Sequence, residues 1–432
     1  MRRKLTSFSG MAANPCLRLK WRFVTPAKAG IHLRLRCKLK ENLDSCPGSG
    51  PGQALRRNDE RQNRLLVDEI RTLRFNAEGQ SVLNFIAAAL LIVASFDSVS
   101  AQSLDQLISA AKSEKELSFI AGPTTFGGKK GLAEIEAAFT KRFGIDAKIR
   151  FSAGPEMNAM AARVISEYKA GGKATTDIYL GSLGQYANLV RENALEELNW
   201  SGTFPWISRP MEETVSRCGV LVYSSPRGII YNSNLIAVDK APKSYEDLVD
   251  PKLSQSWAGK IAVPPYPNWL VELSLIWGEE RLKDFTRKLV AINGGWLRYG
   301  EEERVLSGEF PIMANIGDSL ATMWKWQAKG APLVAVLGSN PGDTSYFHLG
   351  VPRNSGHPNL AKLFVAFMIS KEGQAIIEKH EYRSSHLVES SRMAKYLREH
   401  KIKLQEPQEL FNFYLKGGGA KLNEELVKML KQ

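Results

Sequence analysis

Residues 117–151 read LSFIAGPTTFGGKKGLAEIEAAFTKRFGIDAKIRF, and this stretch contains two apolar segments separated by a helical pattern. The segments 117–121 and 145–151 have the length and composition of strands. Between them, apolar residues at the spacing of one helical face predict a helix over 129–143. A strand, a helix and a second strand in this order predict a βαβ unit with parallel strands.

The same alternation continues along the chain, with an interruption before a second series begins. The elements predicted beyond the first unit are strands at 176–180, 228–232, 259–264, 312–315, 332–337 and 346–352, and helices at 156–170 and 269–277. The order of these elements indicates that the chain leaves one sheet, forms a second and then returns to the first. This predicts two lobes, each a central sheet flanked by helices. Lobe 1 is expected to comprise 102–233 and 341–432, and the inserted lobe 2 to comprise 234–340. The predicted class is therefore α/β, with hinge strands joining the lobes.

A secretory signal peptide is predicted at residues 81–101. Its apolar core, Val82–Ala94, would span only about 20 Å as a helix, against about 30 Å for the hydrocarbon layer. Val99-Ser100-Ala101 supplies the small residues that precede a cleavage site. We therefore expect cleavage after Ala101 and export to the periplasm. Retention as an uncleaved membrane anchor is the weaker alternative.

The segment before the signal, residues 1–80, has no sustained strand or helix periodicity. It is predicted to be a leader that does not fold, and translation is expected to begin nearer the signal, at Val67 or Leu73. Removing residues 1–101 leaves 41 Lys/Arg and 37 Asp/Glu of the 58 and 45 in the chain. This small surplus does not favour a nucleic-acid partner.

Cysteine content is informative because Cys218 is the one cysteine after the signal. A lone cysteine cannot form an internal disulfide, so the exported fold is expected to depend on its apolar core, with Cys218 buried and inert. Position 102 is Gln102 rather than the lipid-anchoring cysteine of exported lipoproteins. We therefore expect a free, monomeric periplasmic protein.

Six short motifs occur in an order that resembles family 1 extracellular solute-binding proteins of ABC importers, especially the ferric-ion-type branch. They are YNSNL at 231–235, PKSYEDLVDP at 242–251, WAGKIAV at 257–263, GEFPI at 308–312, HPNLAKLF at 357–364 and SKEGQ at 370–374. The resemblance implies a periplasmic binding protein type II-like fold that captures a small solute between its lobes and delivers it to an inner-membrane ABC permease. Within these motifs, Ser244 and Ser370 are predicted to cap the N-termini of helices, because serine is favoured at that position.

A ligand site is expected where strands end and helices begin, because helix N-termini there present unpaired backbone amides to the crevice. Aromatic and amide side chains in the loops of lobe 2 can stack on and orient a ligand. Simple capping, turn formation or hinge packing is the alternative role for the same residues. The candidate binding residues are Thr124, Thr125, Ser152, Gly154, Ser182, Tyr223, Tyr266, Asn268, Asn315 and Tyr346.

Metal and enzyme chemistry find little support in the sequence. The resemblance implies adjacent tyrosines after the GEFPI strand for Fe³⁺, but the chain continues as Met313-Ala314-Asn315-Ile316. No histidine pair has metal-ligand spacing, so no metal or other cofactor is predicted and a small organic or oxyanionic solute is favoured. Ferric-ion binding stays open as an alternative.

An enzymatic role has no support from catalytic motifs. The chain lacks a Gly-x-Ser-x-Gly elbow, a phosphate-binding Gly-x-x-x-x-Gly-Lys loop and a His-Glu-x-x-His motif. We therefore expect a binding protein rather than an enzyme, with a periplasmic enzyme or a sensor-coupled receptor as the remaining alternatives. Trp324 and Trp326 are interpreted as surface or partner contacts.

The cleavage prediction has a direct test. N-terminal sequencing of the protein recovered from the periplasm should begin at Gln102 or within two residues of it, because Val99-Ser100-Ala101 is read as the peptidase site. Recovery of mature protein that still begins at Met1 would contradict both the leader and the signal assignments.

Overall fold

The computed structural model describes residues 103–431. The predictions for the leader at 1–80 and the signal peptide at 81–101 concern residues outside this range. Among the described residues, no helix combines the length and apolar character needed to cross a membrane.

The first lobe contains β1 to β4 and β10. β1 pairs in parallel with β2, a parallel bridge joins Phe119 to Ile178, and β10 lies antiparallel between β3 and β4. The parallel βαβ unit at the start of the chain is confirmed, whereas parallel pairing does not extend to β10, which returns from the second lobe. The strand bounds are β1 Glu116–Ala121, β2 Lys148–Ala153, β3 Tyr179–Ser182, β4 Val220–Pro226 and β10 Thr344–Gly350.

The second lobe has one five-stranded sheet in the order β7-β6-β8-β5-β9. β6 runs parallel to β7 and β8, and β5 runs antiparallel to β8 and β9. The three inner strands β6, β8 and β5 are short and fully buried, as expected from their apolar sequences, whereas the edge strands β7 and β9 are partly exposed. The bounds are β5 Gly228–Asn232, β6 Ile261–Val263, β7 Asn293–Trp296, β8 Ile312–Ile316 and β9 Leu333–Leu337.

The described strands form three sheets, two in the first lobe and one in the second, and helices pack their apolar faces against them. In the first part of the chain they are α1 Leu104–Ala111, a 3₁₀ helix Thr125–Gly127, α2 Gly128–Phe143, α3 Met157–Lys169, α4 Leu183–Arg191, α5 Trp200–Thr203 and α6 Arg209–Glu213. The second lobe contributes α7 Tyr245–Val249, α8 Pro251–Ser254, α9 Asn268–Trp277, α10 Glu279–Ala291, α11 Glu303–Leu306 and α12 Ser319–Gln327. The C-terminal helices are α13 Pro358–Ile369, α14 Lys371–Glu381, α15 Arg392–Glu399, α16 Pro407–Leu415 and α17 Ala420–Leu430.

Within residues 103–431, the chain crosses between the two lobes at three places. Arg227 separates β4 from β5, residues 338–343 separate β9 from β10, and residues 416–419 separate α16 from α17. Apolar residues of α16 pack in the first lobe, whereas Leu422, Leu426 and Leu430 of α17 pack with the core of the second sheet. The lobe limits stay predictions, but the packing of β5 and α17 indicates that lobe 2 extends beyond 234–340.

Candidate functional site

A cleft of about 1040 Å³ lies between the two lobes. Among the described residues, five helices begin at its walls: α2, α3 and α4 from the first lobe, and α9 and α12 from the second. Each helix N-terminus carries backbone amides without intrahelical acceptors and the positive end of the helix dipole. The arrangement therefore favours a ligand rich in hydrogen-bond acceptors.

The first-lobe wall is formed by the loop after β1 and by the start of α4. Thr124, Gly127 and Ser182 line it. Gly127 has φ of 80°, and a Cβ there would lie 2.5 Å from Cβ of His380, so this close approach requires glycine. The hydroxyl and backbone amide of Ser182 both donate to Oε1 of Gln185, at 2.6 and 2.9 Å, which fixes the start of α4.

The second-lobe wall is aromatic. Tyr266 and Tyr299 lie with ring centroids 5.0 Å apart, and both line the cleft beside Asn268 and Trp269. The Tyr299 hydroxyl donates to Oδ1 of Asn315 at 2.8 Å, and burial raises the pKa of Tyr299 well above its usual value. Tyr299 is therefore held as a neutral phenol.

The floor of the cleft is a buried charge cluster around Arg227. This side chain donates to Asp343 at 2.5 Å and also to Glu272 and Ser345. Glu272 in turn accepts a hydrogen bond from the Tyr414 hydroxyl at 2.6 Å. Burial raises the pKa of Asp343 to about 7, although the Arg227 charge opposes that shift.

A second ion pair bridges the walls at the start of α12. Asp318 caps α12, accepting from the backbone amide of Ala321 at 3.3 Å. Its other oxygen accepts from Nε of Arg383 and from the Ser225 hydroxyl, both at 2.9 Å. Burial raises the pKa of Asp318 even though Arg383 opposes the rise. Asp318 is thus occupied by donors from the protein itself.

Several donors that line the cleft have no recorded protein acceptor among residues 103–431. The backbone amides of Asn268 and Trp269 lie in the first turn of α9, which no side chain caps. The buried indole nitrogen of Trp269 also lacks an acceptor, and exposed Lys325 has no ion pair. One acceptor is equally unpaired, Oε2 of Glu381, whose pKa is raised by burial toward the neutral acid.

Four of the ten predicted binding residues line this cleft: Thr124, Ser182, Tyr266 and Asn268. They follow β1, β3 and β6, as expected for loops at the ends of strands. Their contact with a ligand stays a prediction.

The other six predicted residues do not line the cleft, and three of them lie in the first lobe near the ends of β1 and β2. Thr125 begins the 3₁₀ helix next to the lining residue Thr124. Ser152 lies exposed at the end of β2, which pairs only with β1. Gly154 extends this pairing through its amide, which donates to the Ala121 carbonyl at 3.0 Å.

The remaining three are buried, and the polar groups of Asn315 and Tyr346 are already hydrogen-bonded within the protein. Asn315 is fully buried and its amide nitrogen donates to the Tyr245 hydroxyl at 2.5 Å. The buried Tyr346 hydroxyl donates to the Gln405 carbonyl. The ring of Tyr223 packs 4.9 Å from that of Phe347, and Arg383 lies over it at 5.4 Å. Asn315 and Tyr346 are therefore buried beneath the cleft surface, where they hydrogen-bond to other residues of the protein.

Sequence reasoning missed Arg227, Glu272, Tyr299, Lys325 and Arg383. The only local signal was Arg227, a charged residue between two apolar strands. Its partners lie 45 and 116 residues away, so no local pattern identifies the cluster. Among residues 103–431, no group of three or more His, Cys, Asp or Glu side chains is placed to hold a metal ion.

Comparison with known proteins agrees with this architecture. A family model described as bacterial extracellular solute-binding protein matches residues 134–384. No curated protein sequence matches the chain.

Solved structures with the same fold include iron-bound HitA from Pseudomonas aeruginosa, with 20% identity, a TM-score of 0.56, and coverage of 73% of this chain and 99% of HitA. AfuA from Actinobacillus pleuropneumoniae with fructose-6-phosphate has 18% identity, a TM-score of 0.55, and coverage of 73% and 98%. FutA from Trichodesmium with iron and citrate has 18% identity, a TM-score of 0.54, and coverage of 73% and 98%. At these identities the likeness is one of fold.

The buried floor predicts a specific pH dependence of stability. Asp343 has a folded pKa of about 7 against an ordinary 3.8, so between pH 4 and 7 the folded protein binds a proton that the unfolded chain has lost. This residue alone should lower the free energy of unfolding as pH rises, by up to about 1.4 kcal/mol per pH unit. Asp343→Asn should remove that component in urea unfolding measured from pH 4 to 8.

The matched control is Asp239→Asn, because Asp239 is exposed and only weakly paired. It should leave the wild-type pH profile unchanged. An Asp343→Asn profile that is superimposable on that of the wild type would contradict the assignment.

Proposed function

Because the chain belongs to the family of bacterial extracellular solute-binding proteins, we propose that it captures a small oxyanionic solute in the cleft and delivers it to an inner-membrane permease. Proteins of this kind are the solute-binding components of ABC importers, so the chain is an exported transport protein rather than a member of an enzyme family. Its location in the periplasm, its cleavage after Ala101 and its monomeric state are parts of the proposal.

The choice of an oxyanion is supported by which cleft groups are left without partners. Asp318 and Glu272 already accept hydrogen bonds from Arg383, Arg227 and Tyr414. By contrast, the first amides of α9 and the ammonium of Lys325 are donors without protein acceptors. A carboxylate or phosphate group would satisfy such donors, and a helix N-terminus favours its charge.

The size of the cleft also supports a molecule rather than a bare ion. Its volume of about 1040 Å³ lies at the upper end of the range of roughly 300–1,000 Å³ for small-molecule pockets. Among the structural neighbours, HitA holds iron and AfuA holds fructose-6-phosphate, so the fold alone leaves both ligand classes open. The choice between a metal ion and an organic oxyanion therefore depends on the side chains that line this cleft.

Ferric-ion binding is the second candidate because Tyr266 and Tyr299 lie side by side in the cleft, although they are 33 positions apart in sequence. Two neighbouring phenols could in principle offer phenolate oxygens to Fe³⁺. Here the Tyr299 hydroxyl donates to Asn315, and burial disfavours its phenolate. This geometry favours a structural role for Tyr299 in holding the aromatic wall.

Two lysines on α12 and its extension provide a matched test of ligand charge. Lys325 lines the cleft, whereas Lys329 is equally exposed one turn further on and does not. Lys325→Gln should weaken binding of the solute about three- to tenfold, and added salt should reduce this difference, because a charge-assisted hydrogen bond at an exposed site is lost. The measurement is titration calorimetry with the solute identified by mass spectrometry of natively purified protein.

Lys329→Gln removes the same charge outside the cleft and should leave the dissociation constant unchanged. Tighter binding by the Lys325→Gln protein would indicate a cationic solute and overturn the proposal. If both variants lose the same affinity for the solute, the loss reflects the overall positive charge of the protein and not a contact with Lys325.

The iron alternative has a spectroscopic test. Addition of Fe³⁺ with a weak competing chelator should produce no phenolate charge-transfer band, because Tyr299 is held as a neutral phenol bonded to Asn315. A stoichiometric visible band that Tyr266→Phe and Tyr299→Phe each abolish would establish ferric binding instead. Tyr168→Phe, a change outside the cleft, serves as the control.

A further inference from the structure

Helices α12 and α15 pack together and form one outer surface of the protein. Leu320 and Met323 of α12 lie in the same small apolar core as Met393 and Leu397 of α15. The Trp324 and Tyr396 rings join the two helices on the outside, with centroids 5.5 Å apart. We call the exposed side of this pair the α12/α15 face.

Positive charge dominates the segments that form this face. Residues 319–330 carry two lysines and no acidic residue, and residues 392–403 carry five Lys/Arg and only Glu399 of opposite charge. The rest of residues 102–432 therefore carries 34 Lys/Arg against 36 Asp/Glu. The cations concerned are Lys325, Lys329, Arg392, Lys395, Arg398, Lys401 and Lys403, all of them exposed.

Three of these cations, Lys325, Lys329 and Arg392, lie over aromatic rings. Lys329 lies 4.3 Å from the centroid of Trp326, and Arg392 lies 5.4 Å from that of Trp324 and 5.3 Å from that of Tyr382. Within residues 103–431, none of the seven has a carboxylate oxygen within ion-pair distance. Cations held in place in this way keep their charge available to a partner.

The α12/α15 face also adjoins the cleft. α12 begins at the cleft, where its cap Asp318 and first-turn residues line the wall, and Lys325 belongs to both the cleft and the face. A partner seated on this face would therefore stand at the mouth through which a solute enters or leaves.

We propose that the α12/α15 face docks on an acidic surface of the membrane permease. Arginine and large aromatic residues are the side chains enriched at the centres of protein interfaces, and charge complementarity sets their approach and orientation. The inference rests on the proposed function, because it takes the partner to be the permease that receives the solute.

An anionic membrane surface is the competing partner, and the face fits it less well. Trp324, Trp326 and Tyr396 are half-buried, and each lies against a cation or another ring. The large apolar side chains that are exposed in the described chain, such as Leu235, Val238 and Trp296, lie elsewhere. Binding at a lipid interface uses apolar side chains that insert below the headgroups, and this face presents none.

The test compares two charge-reversed proteins with equal net charge. Lys329→Glu/Lys395→Glu alters the face outside the cleft. The control, Lys112→Glu/Lys371→Glu, alters two exposed lysines on α1 and α14 that also lack ion pairs. Binding is measured by interferometry to the permease that imports the solute, reconstituted in phosphatidylcholine nanodiscs, at 50 and 300 mM salt.

The face variant should bind the permease at least tenfold more weakly than the wild type at 50 mM salt, and the control within twofold. The difference should shrink at 300 mM salt, because screening weakens attraction between exposed charges. Equal weakening by both variants, or by neither, would overturn the proposal. So would wild-type binding to phosphatidylglycerol vesicles without permease that matches its binding to the permease.

Calorimetry with the solute separates this inference from the proposed function. Both double variants should retain the wild-type dissociation constant for the solute, because none of the four lysines lines the cleft. If no oxyanion binds but the face variant still loses docking, the ligand assignment fails and the docking surface stands. If the solute binds normally and docking is unaffected by the face variant, only the docking surface fails.

Discussion

One buried guanidinium, that of Arg227, holds together the three places where the chain passes between its lobes. Arg227 is itself the crossing between β4 and β5, and its partner Asp343 lies in the crossing between β9 and β10. Glu272, its other partner, bonds to Tyr414 just before the crossing between α16 and α17. Removal of Arg227 would leave Asp343 and Glu272 buried without their cation, and breaking a buried pair in this way typically costs about 3–5 kcal/mol. The floor of the cleft is thus fixed by electrostatics, whatever solute lies above it.

Periodicity in the sequence predicted local structure well where each element buries its own apolar residues. β5 has the predicted bounds, and Ser244 and Ser370 cap their helices by accepting from backbone amides three residues on. Cys218 is buried as expected, and burial raises the pKa of its thiol to about 11. The antiparallel placement of β10 was not predictable, because it depends on pairing with β3 and β4 across more than a hundred residues.

The site was predictable in its location but only partly in its residues. The rule that ligands meet the ends of strands placed Thr124, Ser182, Tyr266 and Asn268 at the cleft. The same rule chose Asn315, which lies near the end of β8, but its amide oxygen and nitrogen are bonded to Tyr299 and Tyr245. Whether a polar side chain faces solvent or supports its neighbours depends on long-range partners. A single sequence does not contain that information in any local pattern.

Helix α12 connects the two surfaces to which function is assigned. Its cap, Asp318, accepts a hydrogen bond from Arg383 of the opposite wall, and its later turns carry Lys325 and the α12/α15 face. On the proposed function, an oxyanion bonds to Lys325 of α12 and to the first amides of α9. A ligand shifts an equilibrium only through its different affinities for the two states, and a bond to α12 supplies such a difference. A loaded and an empty cleft would therefore hold α12 differently, and the permease would meet that difference at the surface on which it docks.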